Sequence, residues 1–168
     1  MAMCQGTRSR KIILLSSDIR KDIDMNEPEK RTTKAKITEA QARLLSFLRS
    51  PEDSYAILQM PSESANRKRL FLSYDALRRQ GEQPRLCHYE TVYTGTLPKL
   101  SDMNWMLEQL FERFNLEQPQ NYPGRSLSVS DIVLMKVHGQ LSCHYVDSIG
   151  FKELPDFLEP EEYLRCAE

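Results

Sequence analysis

The spacing of apolar residues divides the chain into a polar front and a patterned body. Residues 17–36, SDIRKDIDMNEPEKRTTKAK, mix charges of both signs with almost no bulky apolar side chains, so burial there cannot offset the entropy of ordering. This stretch reads as a solvated linker. Behind it, Ile37, Ala40, Leu44, Leu45 and Leu48 recur at helical spacing, Thr38 and Gln41 fit a capping box, and Ser50-Pro51 ends the run. That pattern predicts an amphipathic helix over 37–50.

From Tyr55 the period shortens. YAILQM (55–60) and RLFLS (69–73), separated by polar PSESANRK, predict a first pair of strands. YDALRRQG (74–81) predicts a short helix ended by Gly81, and HYETVYTG (88–95) a further strand in which Tyr89, Thr91 and Tyr93 share a face. SDMNWMLEQLFERFN (101–115) places Ser101 or Asp102 as N-cap and Met103, Met106, Leu107, Leu110, Phe111 and Phe114 on one side, the stripe of a helix packed on a sheet.

The segment 130–147 reads as a hairpin, because His138-Gly139 suits a two-residue type I′ turn. That turn sets Val137 opposite Gln140 and carries Lys136, Leu134, Ile132, Leu141, Cys143 and Tyr145 on one face, with Met135, Val133, Ser142, His144 and Val146 on the other. The same register places Ser130 opposite Asp147, bonded across the hairpin mouth, and Asp131 diagonal to His144. Gly150 then permits a turn, Phe151, Leu154 and Phe157 return to the core, and EPEEYLRCAE (159–168) predicts a terminal helix. The expected class is α+β: a small, mainly antiparallel sheet in the order ββαβαββ, helices on one face, and an amino-terminal helical extension.

Composition narrows the class. At 168 residues, with 40% hydrophobic and 28% charged residues, the chain is expected to hold one globular domain. The organisation expected is a flexible basic arm and linker over 1–36, the helix over 37–50 and a single α+β domain over 51–168. IILL (12–15) is too short for a signal-peptide core or a bilayer span, which points to a cytoplasmic protein with no membrane partner. The net charge of −1 is uneven: residues 1–50 hold 11 Lys and Arg against 6 acidic residues, whereas the remainder is acidic. A basic front above an acidic body lacks the broad positive footprint of sequence-independent DNA binding.

Ser130, His144 and Asp147 are the residue types of a hydrolase triad, but in the hairpin register His144 faces away from the other two. Neither a G-x-S-x-G elbow nor another well-placed histidine is written in the chain. Cys87-His88 and Cys143-His144 repeat a CHY triplet, yet neighbouring strand residues point to opposite faces and no C-x-x-C pair exists, so no metal is expected. No cofactor motif and no small-molecule substrate site are evident.

Several blocks together, YAILQM, SYDALRRQG, YETVYTG, LFERFN, GRSLSVSDIVLM and YVDSIGFKELPDF, resemble the YodL-like domain over about residues 54–158. That family is a small bacterial module common in large multidomain proteins of plasmids, conjugative elements and phages. The positions that match its pattern are Ser128, Asp131, Tyr145, Asp147, Gly150, Phe151 and Pro155. The resemblance implies a non-catalytic accessory or interaction module that binds a protein partner, and it supplies no catalytic residues. The alternative is a nucleic-acid-binding accessory protein using Arg8, Arg10, Lys11, Arg67, Lys68 and Arg69 with stacking tyrosines of the sheet. An uncharacterised enzyme is the third reading.

Overall fold

A computed structural model describes residues 38–97 and 102–159. Helix α1 (Glu39–Arg49) starts on the expected capping box, with the Thr38 side chain accepting from the Gln41 N–H and the Gln41 side chain accepting from the Thr38 N–H. There follow β1 (Ser54–Gln59), α2 (Tyr74–Arg79), β2 (Glu90–Thr96), α3 (Met103–Leu116), β3 (Ile132–Val137), β4 (Gln140–Val146) and β5 (Phe151–Glu153). Every strand pairing is antiparallel and the five strands lie in the order β2-β1-β3-β4-β5. The protein is α+β, as the apolar pattern predicts. Residues 1–37 and the expected terminal helix beyond residue 159 lie outside the described residues.

The β3–β4 hairpin has the predicted register, from Val137 opposite Gln140 to Ile132 opposite Tyr145. His138 (φ 51°) and Gly139 (φ 75°) both take the left-handed region that a type I′ turn requires. Three expectations need correction. RLFLS is not a strand: Phe71 sits at φ 62°, which no ladder accommodates, and Leu70 and Leu72 turn inward beneath it. A short 3-10 turn at Ser64–Asn66 and the turns after it lead instead to α2. The fifth strand is β5, which pairs with β4.

The third correction concerns the helices, which cover both faces of the sheet. Ala56, Leu58, Ile132, Leu134, Cys143 and Tyr145 pack with Phe47 of α1 and Leu77 of α2. Tyr55, Ile57, Val133, Met135 and Val146, alternating with them along the same strands, pack with Met106, Leu107, Leu110 and Phe114 of α3. Strands β1 and β3 are buried along nearly their whole length. In β2 the pairing with β1 slips between Ile57 and Leu58, where Val92 is the extra residue. The bulge sends Tyr89 to the α1/α2 side and Tyr93 to the α3 side, so the predicted single tyrosine face is split.

Helix α1 is fastened by a buried cation. Lys136 of β3, only 5% exposed, donates from Nζ to the carbonyls of Phe47 (2.6 Å), Leu48 (2.9 Å) and Ser50 (2.8 Å). Three donors meet three carbonyls at the end of the helix, where its dipole favours positive charge. Burial lowers the pKa of Lys136 from its ordinary value. Lys136→Met keeps the aliphatic stem and removes the donors. It should lower stability by about 1.5–3 kcal/mol in chemical denaturation, with faster amide exchange in α1 than in β3. An unchanged midpoint would exclude this fastening.

Candidate functional site

The motif block 125–150 organises around one carboxylate. Asp131 is fully buried, yet its side chain receives four N–H groups. Arg125 approaches in bidentate fashion, its Nη1 at 2.6 Å from Oδ2 and its Nη2 on Oδ1. Gln59 Nε2 (2.9 Å) and the Ser128 backbone N–H (2.9 Å) bind Oδ2 as well. Burial raises the Asp131 pKa above the usual carboxylate value, while the hydrogen bond and charge of Arg125, followed by the Ser128 and Gln59 bonds, act in the opposite direction.

Gln59 closes the network. Its amide accepts from the Arg125 backbone N–H (3.0 Å) and donates to the Arg125 carbonyl (3.0 Å), which also accepts from the Tyr122 hydroxyl (2.8 Å). The loop between α3 and β3 is therefore held by side chains of β1 and of the loop itself. Asn115 Nδ2 adds a bond to the Leu127 carbonyl at 3.0 Å.

Ser130 and Asp131 both lie opposite Val146: the Ser130 N–H donates to the Val146 carbonyl (3.0 Å) and the Val146 N–H to the Asp131 carbonyl (2.8 Å). This bulge, with Ser130 at φ 81°, breaks the expected register at the hairpin mouth. Ser130 and Asp147 accordingly do not bond each other. Ser130 Oγ accepts from the Phe71 N–H (3.0 Å), and the Ser130 carbonyl accepts from the Tyr89 hydroxyl (3.0 Å). Asp147 Oδ1 accepts from the N–H groups of Tyr74 (3.1 Å) and Ser148 (2.7 Å), satisfying a donor in the first turn of α2. Nor does Asp131 pair with the diagonal His144, since His144 Nε2 lies 2.8 Å from Ser142 Oγ and Asp131 is taken by Arg125. Burial lowers the His144 pKa, an effect that Glu153 opposes.

The Tyr145 hydroxyl donates to the Leu72 carbonyl (2.7 Å), and its ring packs edge-on to Tyr74. Gly150 takes φ 67° and its carbonyl accepts from the Asp147 N–H at 3.0 Å. Phe151 starts β5 and meets Phe111 edge-on, and Pro155 is exposed in the turn between buried Leu154 and Phe157. Ser128 Oγ donates to the Ser126 carbonyl at 2.9 Å.

Of the candidate nucleic-acid contacts, Arg67 and Lys68 are exposed, but Arg69 is committed to Glu82 through Nη2 (2.8 Å) and Nε (3.1 Å) and to the Ala65 carbonyl through Nη1 (3.0 Å). Arg8, Arg10 and Lys11 lie outside the described residues. Cys87 and His88 belong to a 3-10 turn at Leu86–His88 and not to a strand.

The residues that complete the cluster, Gln59, Arg125, Tyr89 and Phe71, do not stand out in the sequence. Gln59 carries the one usable signal, a polar residue at the end of an apolar strand run. Phe71, 59% exposed, lies under the Arg125 guanidinium at 4.9 Å from the ring centroid. On the opposite side of the sheet from α1, the exposed side chains of Trp105 and Leu116 flank a groove of about 610 Å³ between α3 and the end of β2.

The chain is thus a small α+β protein, a two-sided antiparallel sheet whose motif block is locked by a buried ion pair. The family model described as the YodL-like domain matches residues 54–157, and the chain belongs to that family. Comparison with curated proteins finds no match, and comparison with solved structures finds none. Helix α1 lies before the matched residues, yet its Phe47 is part of the core.

Removing Arg125 leaves Asp131 buried without its cation, so Arg125→Met should cost about 3 kcal/mol or more at neutral pH. The sign of its pH dependence follows from the raised carboxyl pKa. Loss of Arg125, which lowers the Asp131 pKa, raises it further in the variant; the penalty is full above that folded-state value and shrinks as pH falls from there to the folded-state value of the unsubstituted protein. The gap between Arg125→Met and the unsubstituted protein should narrow on acidification. A gap constant from pH 7 to pH 4 would show that the pair does not stabilise the fold in this way.

Proposed function

We propose that the chain is a non-catalytic interaction module of mobile-element type that binds a protein partner in the cytoplasm. The observation that carries this reading is the division of labour between inside and outside. Motif side chains of chemically capable types, Ser130, Asp131, Tyr145 and Asp147, are each bonded to backbone or to a structural partner. The described surface in turn exposes large apolar side chains, among them Trp105 (48% exposed) and Leu116 (75%) on α3. Exposed tryptophan is the side chain most enriched among residues that dominate protein interfaces.

Membership of the YodL-like family is the basis for the mobile-element setting. Among the described residues no helix is long and apolar enough to cross a membrane. The nucleic-acid reading loses support from two features, the Arg69–Glu82 ion pair and the burial of Tyr55, Tyr89 and Tyr145, whose ring faces are covered and not open to bases.

Affinity capture from a bacterial lysate with the full chain, with and without nuclease, tests the proposal. The expected result is a protein partner retained after nuclease treatment and at physiological salt. Capture that disappears with nuclease and falls steeply as salt rises would replace this reading with nucleic-acid binding.

A further inference from the structure

The groove beside β2 is lined by a hydroxyl and a cation that bond no side chain or backbone group among the described residues. Tyr55 is 2% exposed, its ring braced edge-on by Phe114 and covering Gly95, where an added Cβ would stand 2.6 Å from the phenol carbon and oxygen. The phenol thus crosses the outermost strand and its hydroxyl opens on the groove, where it makes no hydrogen bond among the described residues. Burial pushes its pKa up to about 12, so it carries its proton at neutral pH. Arg113 also lines the groove, close enough for its charge to act on the Tyr55 phenol, and its guanidinium makes no ion pair or hydrogen bond among the described residues. Two donors therefore line one groove and lack an acceptor among the described residues.

The strand beside them has an open edge. The Leu97 N–H donates to the Asp53 carbonyl at 2.9 Å, which fixes the alternation of the ladder. Gly95 turns its backbone groups toward β1, and Thr94 and Thr96 turn theirs away from the sheet. At Thr91 the carbonyl is occupied by Arg43 of α1 (3.4 Å), whereas no described group bonds the outward N–H and C=O of Thr94 and Thr96. Thr94–Thr96 itself carries neither a proline nor a charged side chain, the residues that blunt an edge, and Pro98 and Lys99 follow in the sequence.

Resting on the interaction reading, we propose that the β2 edge at Thr94–Thr96 takes an extended segment of the protein partner as a sixth strand. One carboxylate of that segment is received by the Tyr55 hydroxyl and the Arg113 guanidinium, and an apolar side chain two residues away packs against Trp105. The two-residue spacing follows from the pleat, which brings alternate side chains to the same face. Glu112 and Glu117 also line the groove, so the segment carries a single carboxylate in a neutral or basic context and not an acidic run.

The test is selection of a random ten-residue peptide library, displayed on phage, against the full chain. Enriched peptides should carry Asp or Glu two positions from an aliphatic or aromatic residue. A synthetic copy should shift the amide resonances of Thr94 and Thr96 and the indole N–H of Trp105. Tyr55→Phe and Arg113→Gln, which leave the packing intact, should each weaken it about ten- to a hundredfold, the worth of one hydrogen bond to a charged group. Replacing the peptide carboxylate by its amide should weaken binding to the unsubstituted protein but add little to Arg113→Gln. Thr96→Pro, which removes an outward N–H only, should weaken binding with no change in melting; if it fails to fold, the Arg113 and Tyr55 variants still decide. No enriched peptide, shifts elsewhere, or binding indifferent to both variants would overturn the proposal, as would a groove that takes free 3-phenylpropionate but no peptide. If the lysate partner is still captured by Arg113→Gln and Thr96→Pro, this site is wrong and the interaction reading stands; if only nucleic acid is captured, the interaction reading itself has failed.

Discussion

The structure depends on the need to satisfy one carboxylate that has no access to water. An ionised Asp131 in the interior is tolerable only because four N–H groups reach it, and they come from β1, from the loop after α3 and from the turn just before β3. Satisfying the charge therefore specifies geometry. It fixes the path of residues 125–131, which fixes the bulge at Ser130, which in turn holds Phe71 through its N–H. Two non-glycine residues in the left-handed region, each costing about 1–2 kcal/mol, are bonded directly to one another in this chain of constraints.

How much of this could be read beforehand varied with the range of the interaction. Local signals served well: the capping box of α1, the Asp102 cap of α3 and the β3–β4 register all follow from residues a few positions apart. RLFLS failed because alternation was absent from it and its backbone is satisfied by side chains about 60–73 residues away, Ser130 and Tyr145. The covering of both faces was legible in principle. IVLM in β3 is a continuous apolar run, and a strand wetted on one face alternates instead.

The candidate site was legible in its membership but not in its bonds. The serine, the aspartates and Tyr145 were identified, and pairing them by hairpin register gave Ser130 with Asp147. The bulge overrode that pairing, since one extra residue shifts the opposition at the mouth. The partner Asp131 does use, Arg125, lies in an irregular loop where no periodicity predicts direction. The pairing of Tyr55 with Gly95 was hidden for a similar reason, because it needs the β1–β2 register, which has a bulge of its own.

The two apolar clusters share no side chain, yet they occupy opposite faces of the same two strands. Separating α3 from the sheet would wet Tyr55, Ile57, Val133 and Met135, and the strands so weakened are those that present Ala56, Leu58, Ile132 and Leu134 to the other side. The half-cores are thus coupled through backbone alone. Loosening either one weakens the strands that carry the other, so global unfolding of the sheet and its helices is expected to be cooperative even where a helix end opens locally.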